Sequence, residues 1–219
     1  MEKKPVYKRV LLKISGEALS GGQGRGLNFD VIDEVCEAVK TCADMGVQIG
    51  IVVGGGNFWR GRSSGKMDRM DADKIGMLAT VMNAIAVKDA LRQQGVPAVV
   101  MTSSAMPQVA DTFRSDKAIA ELEAGKIVVF GGGTGNPIFS TDTASALRAL
   151  EIGADAMFKA TMVDGVYDKD PHKYADAVRY DTLTFTTGLF NNWLASSNGD
   201  DLRLRTHAMI RSHIALRRD

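Results

Sequence analysis

The chain has 219 residues, of which 45% are apolar and 24% are charged, and its formal net charge is +1. These values are typical of a globular protein with one or two lobes, and the small net charge argues against a general polyanion binder. No apolar stretch approaches the ~20 residues of a membrane-spanning helix, and the N-terminus is unlike a signal peptide. We therefore expect a cytoplasmic protein that needs no membrane or nucleic-acid partner.

The first half of the chain predicts two strands and two helices in alternation. Val10–Ile14 and Val47–Val53 are short apolar runs typical of strands. Between them, Asp30 caps a predicted helix that ends before Gly46, with an apolar stripe at Ile32, Val35, Val39 and Cys42. A long amphipathic helix follows and ends at Gly95, with a stripe at Ile75, Leu78, Ala79, Met82, Ile85, Ala86 and Leu91. Met77 and Met82 are expected in the core, and Cys36 and Cys42 are expected as buried, reduced thiols.

The second half continues the same alternation. Ala98–Met101, Ile127–Phe130 and Ala156–Ala160 are strand-like, and Lys117–Glu123 is a helix candidate. Thr141 or Asp142 caps a further predicted helix, Thr143–Leu150. The order predicts an α/β fold: a three-layer α/β/α sandwich with a largely parallel central sheet, whose strand carboxyl ends gather the ligands.

Three apolar runs end in glycine-rich segments that lead into helix-like stretches. These segments are Ser15-Gly16, Gly54-Gly55-Gly56-Asn57 and Gly131 to Asn136. Glycine lets backbone N–H groups approach an anion closely, and a following helix N-terminus adds further donors. Three such turns favour a protein that binds several phosphates at once.

The common nucleotide-binding and catalytic motifs do not occur. The chain has no G-x-x-x-x-G-K-[ST] loop, no properly spaced G-x-G-x-x-G, no G-x-S-x-G and no His/Cys cluster for a metal. The function that remains is phosphate chemistry on a sheet that is neither of the P-loop nor of the dinucleotide-binding kind.

Four motifs then resemble the bacterial uridylate (UMP) kinases of the amino-acid-kinase fold. They are Lys13 to Ala18 (KISGEA), Gly54 to Gly61 (GGGNFWRG), Gly133 to Pro137 (GTGNP) and Lys159 to Pro171 (KAT-x-VDGVY-x-x-DP). The third motif is the most specific to the UMP branch, and the others occur more widely in amino-acid-kinase-fold enzymes. The resemblance runs from about Pro5 to Phe185, and Thr186–Asp219 departs from it.

The resemblance implies a transferase that moves the ATP γ-phosphate to UMP and yields UDP, in pyrimidine nucleotide biosynthesis. Lys13, Lys159 and Asp142 are its implied catalytic residues, and Mg²⁺ arrives with ATP. Implied partners are ATP and UMP, a GTP activator and a UTP inhibitor, in an allosteric homohexamer. A single domain is implied, with a UMP-binding lobe over about 1–150 and an ATP-binding lobe over about 151–219 that is incomplete or atypical after 185.

The resemblance also assigns binding residues. The implied ATP-binding residues are Lys13, Ile14, Ser15, Gly16, Gly56, Arg60, Thr161, Tyr167 and Asp170. The implied UMP-binding residues are Gly55, Asp73, Thr134, Gly135, Asn136, Pro137, Ile138, Phe139, Ser140 and Thr141. The implied allosteric loop is Gly21, Gly22, Gln23, Gly24, Arg25 and Gly26. No dedicated protein metal site is implied.

Simpler interpretations of the same residues stay open. Arg60 is equally explained as a surface residue, and Asp73 as a favourable charge at a helix N-terminus. Thr141 and Asp142 are equally explained as helix caps. Tyr167 and Asp170 are equally explained as residues that shape the turn before Pro171, and Gly21–Gly26 as a flexible loop. Two other functions are compatible with the sequence: an amino-acid-kinase-fold enzyme acting on a carboxylate or carbamate, or a catalytically weak UMP- or UTP-binding regulatory protein.

Overall fold

The computed structural model of the protein describes residues 5–60, 65–160, 166–167 and 174–180. The strands in these residues are β1 (Arg9–Ile14), β2 (Gln48–Val53), β3 (Ala98–Thr102), β4 (Asp111–Thr112), β5 (Ile127–Gly131), β6 (Ala156–Lys159), β7 (Val166–Tyr167) and β8 (Arg179–Tyr180). The helices are α1 (Gly16–Leu19), α2 (Phe29–Asp44), α3 (Arg69–Gln93), α4 (Ser115–Glu123) and α5 (Thr141–Glu151), with a 3-10 turn at Gly21–Gln23. Within these ranges no helix is both long and apolar enough to cross a membrane.

Six strands form one sheet in the order β4-β3-β5-β2-β1-β6, and every neighbouring pair is parallel. β7 and β8 pair with each other in an antiparallel ladder. The predicted α/β class and parallel sheet are therefore confirmed. Because all six strands point the same way, their carboxyl ends lie along a single edge of the sheet.

Helices cover both faces of this sheet because successive strand residues point to opposite sides. Val10 and Ile14 of β1 belong to a buried cluster with Ile32 of α2 and Val87 of α3. Leu11, between them in the chain, packs with a second cluster that contains Leu122 of α4. The partly buried alanines of α5 pack against that second cluster. The layers are thus α2 and α3, the sheet, then α4 and α5, as expected for an α/β/α sandwich.

Two helix caps differ from the sequence prediction. Asn28 caps α2, since its side chain accepts a hydrogen bond from the Val31 N–H, whereas Asp30 already lies in the first turn. Ser140 caps α5 by accepting from the Thr143 N–H at 3.1 Å, whereas Thr141 and Asp142 are helical. An N-cap residue has extended backbone and accepts from a residue two or three positions on, and Asn28 and Ser140 meet both conditions.

The long helix α3 buries only part of its predicted apolar stripe: Ala79 and Leu91 are buried, but not every member is. Leu78 and Met82 are 50% and 49% exposed, and the buried face includes the polar residues Thr80 and Asn83. The prediction was wrong at Leu78 and Met82, because the polar residues Thr80 and Asn83 take buried positions where hydrogen bonds satisfy them. Cys42 is likewise exposed, and only Cys36 is buried among these two cysteines, where burial raises the pKa of its thiol to about 11.

Candidate active site

Two buried lysines stand side by side at the carboxyl edge of the sheet. Lys13 near the end of β1 and Lys159 at the end of β6 are register partners on neighbouring parallel strands. Partners in register project from the same face of a sheet, so both ammonium groups reach the same space. Their side chains are only 8% and 7% exposed. Burial of two like charges is costly, and it requires a compensating anion.

Asp142 supplies part of that compensation. It lies in the first turn of α5, and its Oδ1 is 3.1 Å from Lys13 Nζ. Its Oδ2 accepts a hydrogen bond of 2.9 Å from Lys159 Nζ. One carboxylate therefore holds two ammonium groups, and these three side chains together carry a net charge of +1. Such a preorganised, largely dehydrated positive site stabilises an anion far better than exposed lysines would.

The protonation of Lys159 reflects this environment. The pKa of its ammonium group is lowered from 10.5 to about 8: burial is the largest cause, Asp142 opposes it, and the Lys13 charge adds to it. An anion that bound beside Lys159 would raise the pKa again, because it favours the charged form. Lys159 therefore keeps its proton to a higher pH when an anion is bound than when the site is empty.

Two glycine turns meet directly beside the lysines. A Cβ atom on Gly16 would lie 2.6 Å from Asn57 Oδ1 and 2.7 Å from the Gly54 carbonyl oxygen. A Cβ atom on Gly54 would lie 2.8 Å from the Gly16 nitrogen. The ends of β1 and β2 therefore touch backbone to backbone, which only glycine allows. Among the described residues neither the Gly55 nor the Gly56 N–H donates to a backbone carbonyl, and both glycines line the cavity described below.

Glu17 and Arg60 lie over the second turn. The Arg60 guanidinium donates to Glu17 Oε1, and the same oxygen would be 2.8 Å from a Cβ atom on Gly56. Both side chains are about half exposed. A carboxylate thus sits against Gly56 and Arg60, at a position where the sequence predicts an ATP phosphate.

A cavity of about 150 Å³ opens next to these turns. It brings together seven of the predicted UMP-binding residues, namely Gly55, Asp73, Thr134, Asn136, Pro137, Phe139 and Thr141, together with Gly56. Gly135, Ile138 and Ser140 belong to the same loop but not to the lining. Thr141 directly precedes Asp142, so the cavity lies beside the lysine cluster.

Two hydroxyl groups hold the third glycine turn, Gly131 to Gly135. Thr80 Oγ1 of α3 accepts from the Gly132 N–H at 2.7 Å, and Ser103 Oγ donates to the Gly132 carbonyl at 2.6 Å. Gly132 has φ +82°, a conformation that favours glycine. The turn is therefore clamped from both sides, and Thr80 also lines the cavity.

Asp73 shapes the far side of the cavity. Its Oδ2 accepts from Arg69 Nε at 2.8 Å and from the Ile138 N–H at 2.9 Å. Ile138 has φ +77°, which is unfavourable for a β-branched residue, and the carboxylate helps to hold it there. Asp73 therefore does more than place a charge at a helix N-terminus, the simpler interpretation of the sequence. It links α3 to the loop over the cavity.

The structure also places residues in the site that the sequence interpretation did not assign. Trp59, Gly76, Met77 and Thr80 line the cavity, and the Trp59 Nε1 is buried without a hydrogen-bond partner in the described part of the chain. Thr80 could have been found from the sequence, because it is a polar residue among the apolar residues of α3. Nothing in the sequence pattern marked Trp59 apart from its position in the GGGNFWRG motif.

Some predicted site residues lie apart or cannot be placed. The Gly21–Gln23 turn and exposed Arg25 belong to a surface loop, of which Gly26 alone reaches the second glycine turn. Thr161, Asp170 and Thr186–Asp219 lie outside the described residues, and of Tyr167 only the β7 backbone is described. Among the described residues no group of three or more His, Cys, Asp or Glu could hold a metal ion.

Comparison with known proteins agrees with this geometry. The sequence model of the Amino acid kinase family matches residues 8–210, so the match reaches into the segment after Phe185. A UMP kinase from Bacillus anthracis has a similar structure, with a TM-score of 0.77 and 34% identity, covering 93% of this chain and 83% of that one. A UMP kinase from Ureaplasma parvum has a TM-score of 0.76 and 31% identity, covering 93% of this chain and 87% of that one.

Proposed function

Because the chain belongs to the amino acid kinase family, we propose that it is a UMP kinase, which transfers the γ-phosphate of ATP to UMP and yields UDP. The observation that carries this proposal is the buried cluster of Lys13, Lys159 and Asp142 beside the glycine turns. The likeness to two UMP kinases at more than 30% identity supports the choice of acceptor.

The chemistry needs positive charge more than it needs a base. Two nucleotides bring several negative charges together, and the transferring phosphoryl group spreads negative charge over its oxygens. Lys13 and Lys159 neutralise that charge at the point of transfer. The acceptor phosphate of UMP has a second pKa near about 6, so its oxygen is already ionised at neutral pH. Asp142 therefore orients the two lysines and does not remove a proton.

The cavity accommodates the acceptor in this proposal. Gly55, Asp73 and the loop Thr134–Thr141 bind UMP, with Asn136 and Thr141 donating or accepting hydrogen bonds at the uracil or ribose. ATP binds on the other side of the lysines through Lys13, Ile14, Ser15, Gly16, Gly56 and Arg60. Its adenosine contacts Thr161, Tyr167 and Asp170. In this arrangement an ATP phosphate takes the place that Glu17 occupies beside Arg60.

Magnesium enters with ATP in this proposal. In the described part of the chain no group of three or more His, Cys, Asp or Glu could hold a metal ion, and Asp142 is engaged by two lysines, so the ion would be held by phosphate oxygens and water. It would supply charge neutralisation at the phosphates. The protein's own groups then bind and orient the two nucleotides.

The wider assignments are proposals of the same kind. We place the UMP-binding lobe at about 1–150 and the ATP-binding lobe at about 151–219 of a single domain. The enzyme acts in pyrimidine nucleotide biosynthesis in the cytoplasm, as a homohexamer that GTP activates and UTP inhibits. The glycine loop Gly21–Gly26 is the proposed effector region.

Formation of UDP from UMP and Mg·ATP by the purified protein tests the function, with CMP as the control acceptor. We expect turnover with UMP, and Lys13→Ala should lower it by about 10²–10³-fold, because one charge at the transfer point is lost. Lys117→Ala is the matched control, since that lysine is half exposed and pairs with Asp111 away from the site.

Other outcomes would contradict the proposal. Transfer to a carboxylate or carbamate in a substrate panel, without transfer to UMP, would identify a different kinase of the same fold. Binding of UMP without any transfer would identify a nucleotide-binding regulatory protein.

A further inference from the structure

We propose that Asn83 is a positioning residue, which together with Asn57 sets the geometry of the second glycine turn and couples that turn to the loop ending at Gly26. The inference concerns residues that are not among the cavity lining, and its binding consequence depends on the proposed function.

The two side-chain amides form a reciprocal pair. Asn83 Nδ2 donates to Asn57 Oδ1 at 2.7 Å, and Asn57 Nδ2 donates to Asn83 Oδ1 at 3.0 Å. Asn57 is 1% exposed and Asn83 is 0% exposed. Each amide thus satisfies the other where water cannot, and a buried polar group that lost its partner would be costly.

The remaining donors of the pair hold two separate backbone segments. Asn83 Nδ2 also donates to the Gly54 carbonyl at 2.6 Å, and Asn57 Nδ2 donates to the Gly26 carbonyl at 2.7 Å. The Gly26 N–H donates in turn to the Asn57 carbonyl at 3.0 Å. The pair therefore ties α3, the second glycine turn and the end of the surface loop into one network.

The network also reaches the first turn. A Cβ atom on Gly16 would lie 2.6 Å from Asn57 Oδ1, so the amide oxygen packs against the backbone where β1 ends. A displacement of Asn57 would change the spacing between Gly16 and Gly54, which touch each other. The positions of Gly55 and Gly56, which follow Gly54 and line the cavity, depend on that spacing. Asn83 acts through these contacts and touches no ligand itself.

The exchange of Asn83 for aspartate tests this role, because the side chain keeps its shape but loses both donors. In Asn83→Asp an oxygen faces the Gly54 carbonyl and Asn57 Oδ1, so two attractive contacts become repulsive. Val87→Ala is the matched control. It lies one turn further along the buried face of α3, is 1% exposed, and loses packing in the same core without touching the turn.

Two measurements are made on wild type and both variants. Calorimetric titration with UMP should show that Asn83→Asp weakens binding by about 10-fold or more, since small displacements of binding groups are costly. Val87→Ala should stay within about twofold of wild type under the same principle. Hydrogen exchange should become faster at residues 21–28 and 54–57 in Asn83→Asp but not in Val87→Ala. A general loss of stability would not produce that pattern.

The outcomes separate this inference from the proposed function. If wild type does not bind UMP, the proposed function fails, and the exchange pattern alone decides the inference. Equal changes in both variants at equal melting temperature, or unchanged exchange at residues 21–28, would overturn it. If Asn83→Asp does not fold, Asn83→Ser carries the same comparison, because it also removes the donors to Gly54 and Asn57.

Discussion

Lys159 experiences opposing influences on its charge. The pKa of its ammonium group is lowered to about 8 by the sum of three effects: burial lowers it most, Asp142 raises it, and the neighbouring Lys13 charge lowers it. A kinase that uses this charge would lose activity as pH rises through that range. The loss would begin in the free protein, where no bound phosphate favours the ammonium form.

Replacement of Lys159 by arginine tests this dependence. In wild type we expect kcat/KM for ATP to fall above pH 8, with kcat falling at higher pH because bound phosphates raise the pKa. In Lys159→Arg the guanidinium stays charged, so the alkaline fall should disappear, although the altered geometry lowers the rate at neutral pH. Rate profiles between pH 6 and 10 measure both effects.

Stability should change with pH in the opposite direction, which provides the control. The unfolded chain holds the Lys159 proton up to about 10.5, whereas the folded protein releases it near 8. The contribution of this group to the free energy of unfolding therefore rises between those pH values. An alkaline fall in activity that follows unfolding, or one that persists in Lys159→Arg, would contradict the assignment.

At the scale of secondary-structure elements, the site depends on contact between the ends of two parallel strands. Gly16 and Gly54 bring the ends of β1 and β2 together without side chains between them. In Gly16→Ala the new methyl group would lie 2.6 Å from Asn57 Oδ1 and 2.7 Å from the Gly54 carbonyl oxygen, which is closer than a Cβ atom can approach these atoms. The turns must then separate.

We expect Gly16→Ala to lower the free energy of unfolding by about 1–3 kcal/mol and to reduce nucleotide binding strongly. Denaturant unfolding and UMP titration measure the two effects. Gly95→Ala is the control, because it strains a positive φ of +80° after α3 but meets no atom within 4 Å. It should lose stability while it keeps its affinity. Normal UMP binding by a folded Gly16→Ala protein would show that the contact between the turns is unimportant.

At the scale of the whole molecule, the proposed division into two lobes predicts where each nucleotide protects the chain. UMP should slow hydrogen exchange at residues 54–59 and 131–141, which surround the cavity. ATP should slow exchange at residues 13–17 and from Lys159 onward. Both nucleotides should protect the start of α5, because Asp142 joins the lysines of the two lobes.

Hydrogen exchange measured with UMP alone, with ATP alone and with both nucleotides together tests this prediction. CMP is the control ligand. At a concentration 100 times the dissociation constant, either nucleotide should stabilise the fold by about 2.7 kcal/mol. Protection of residues 13–17 by UMP alone, or of residues 131–140 by ATP alone, would mean that the lobes are wrongly divided.

Sequence alone determined the class of fold and singled out the two lysines that the structure brings together. Alternating apolar runs and helical stripes predicted a parallel sheet between two layers of helices, because those periods follow from backbone geometry. The KISGEA and Lys159 motifs pointed to Lys13 and Lys159 through their resemblance to the UMP kinases, and both lysines lie near strand ends at one edge of the sheet. The apolar stripe predicted for α3 was wrong at Leu78 and Met82, which are exposed. Local periodicity carries no information about which elements pack against each face of a helix.

Only the tertiary structure decided which distant polar groups satisfy each other. Asn57 and Asn83 are 26 residues apart, and Asp142 is 17 residues from Lys159. Buried donors and acceptors must be paired within the fold, so each choice depends on the packing of strands and helices and not on local sequence. The same packing aligned Ser140 as a cap and placed Trp59 and Thr80 at the cavity.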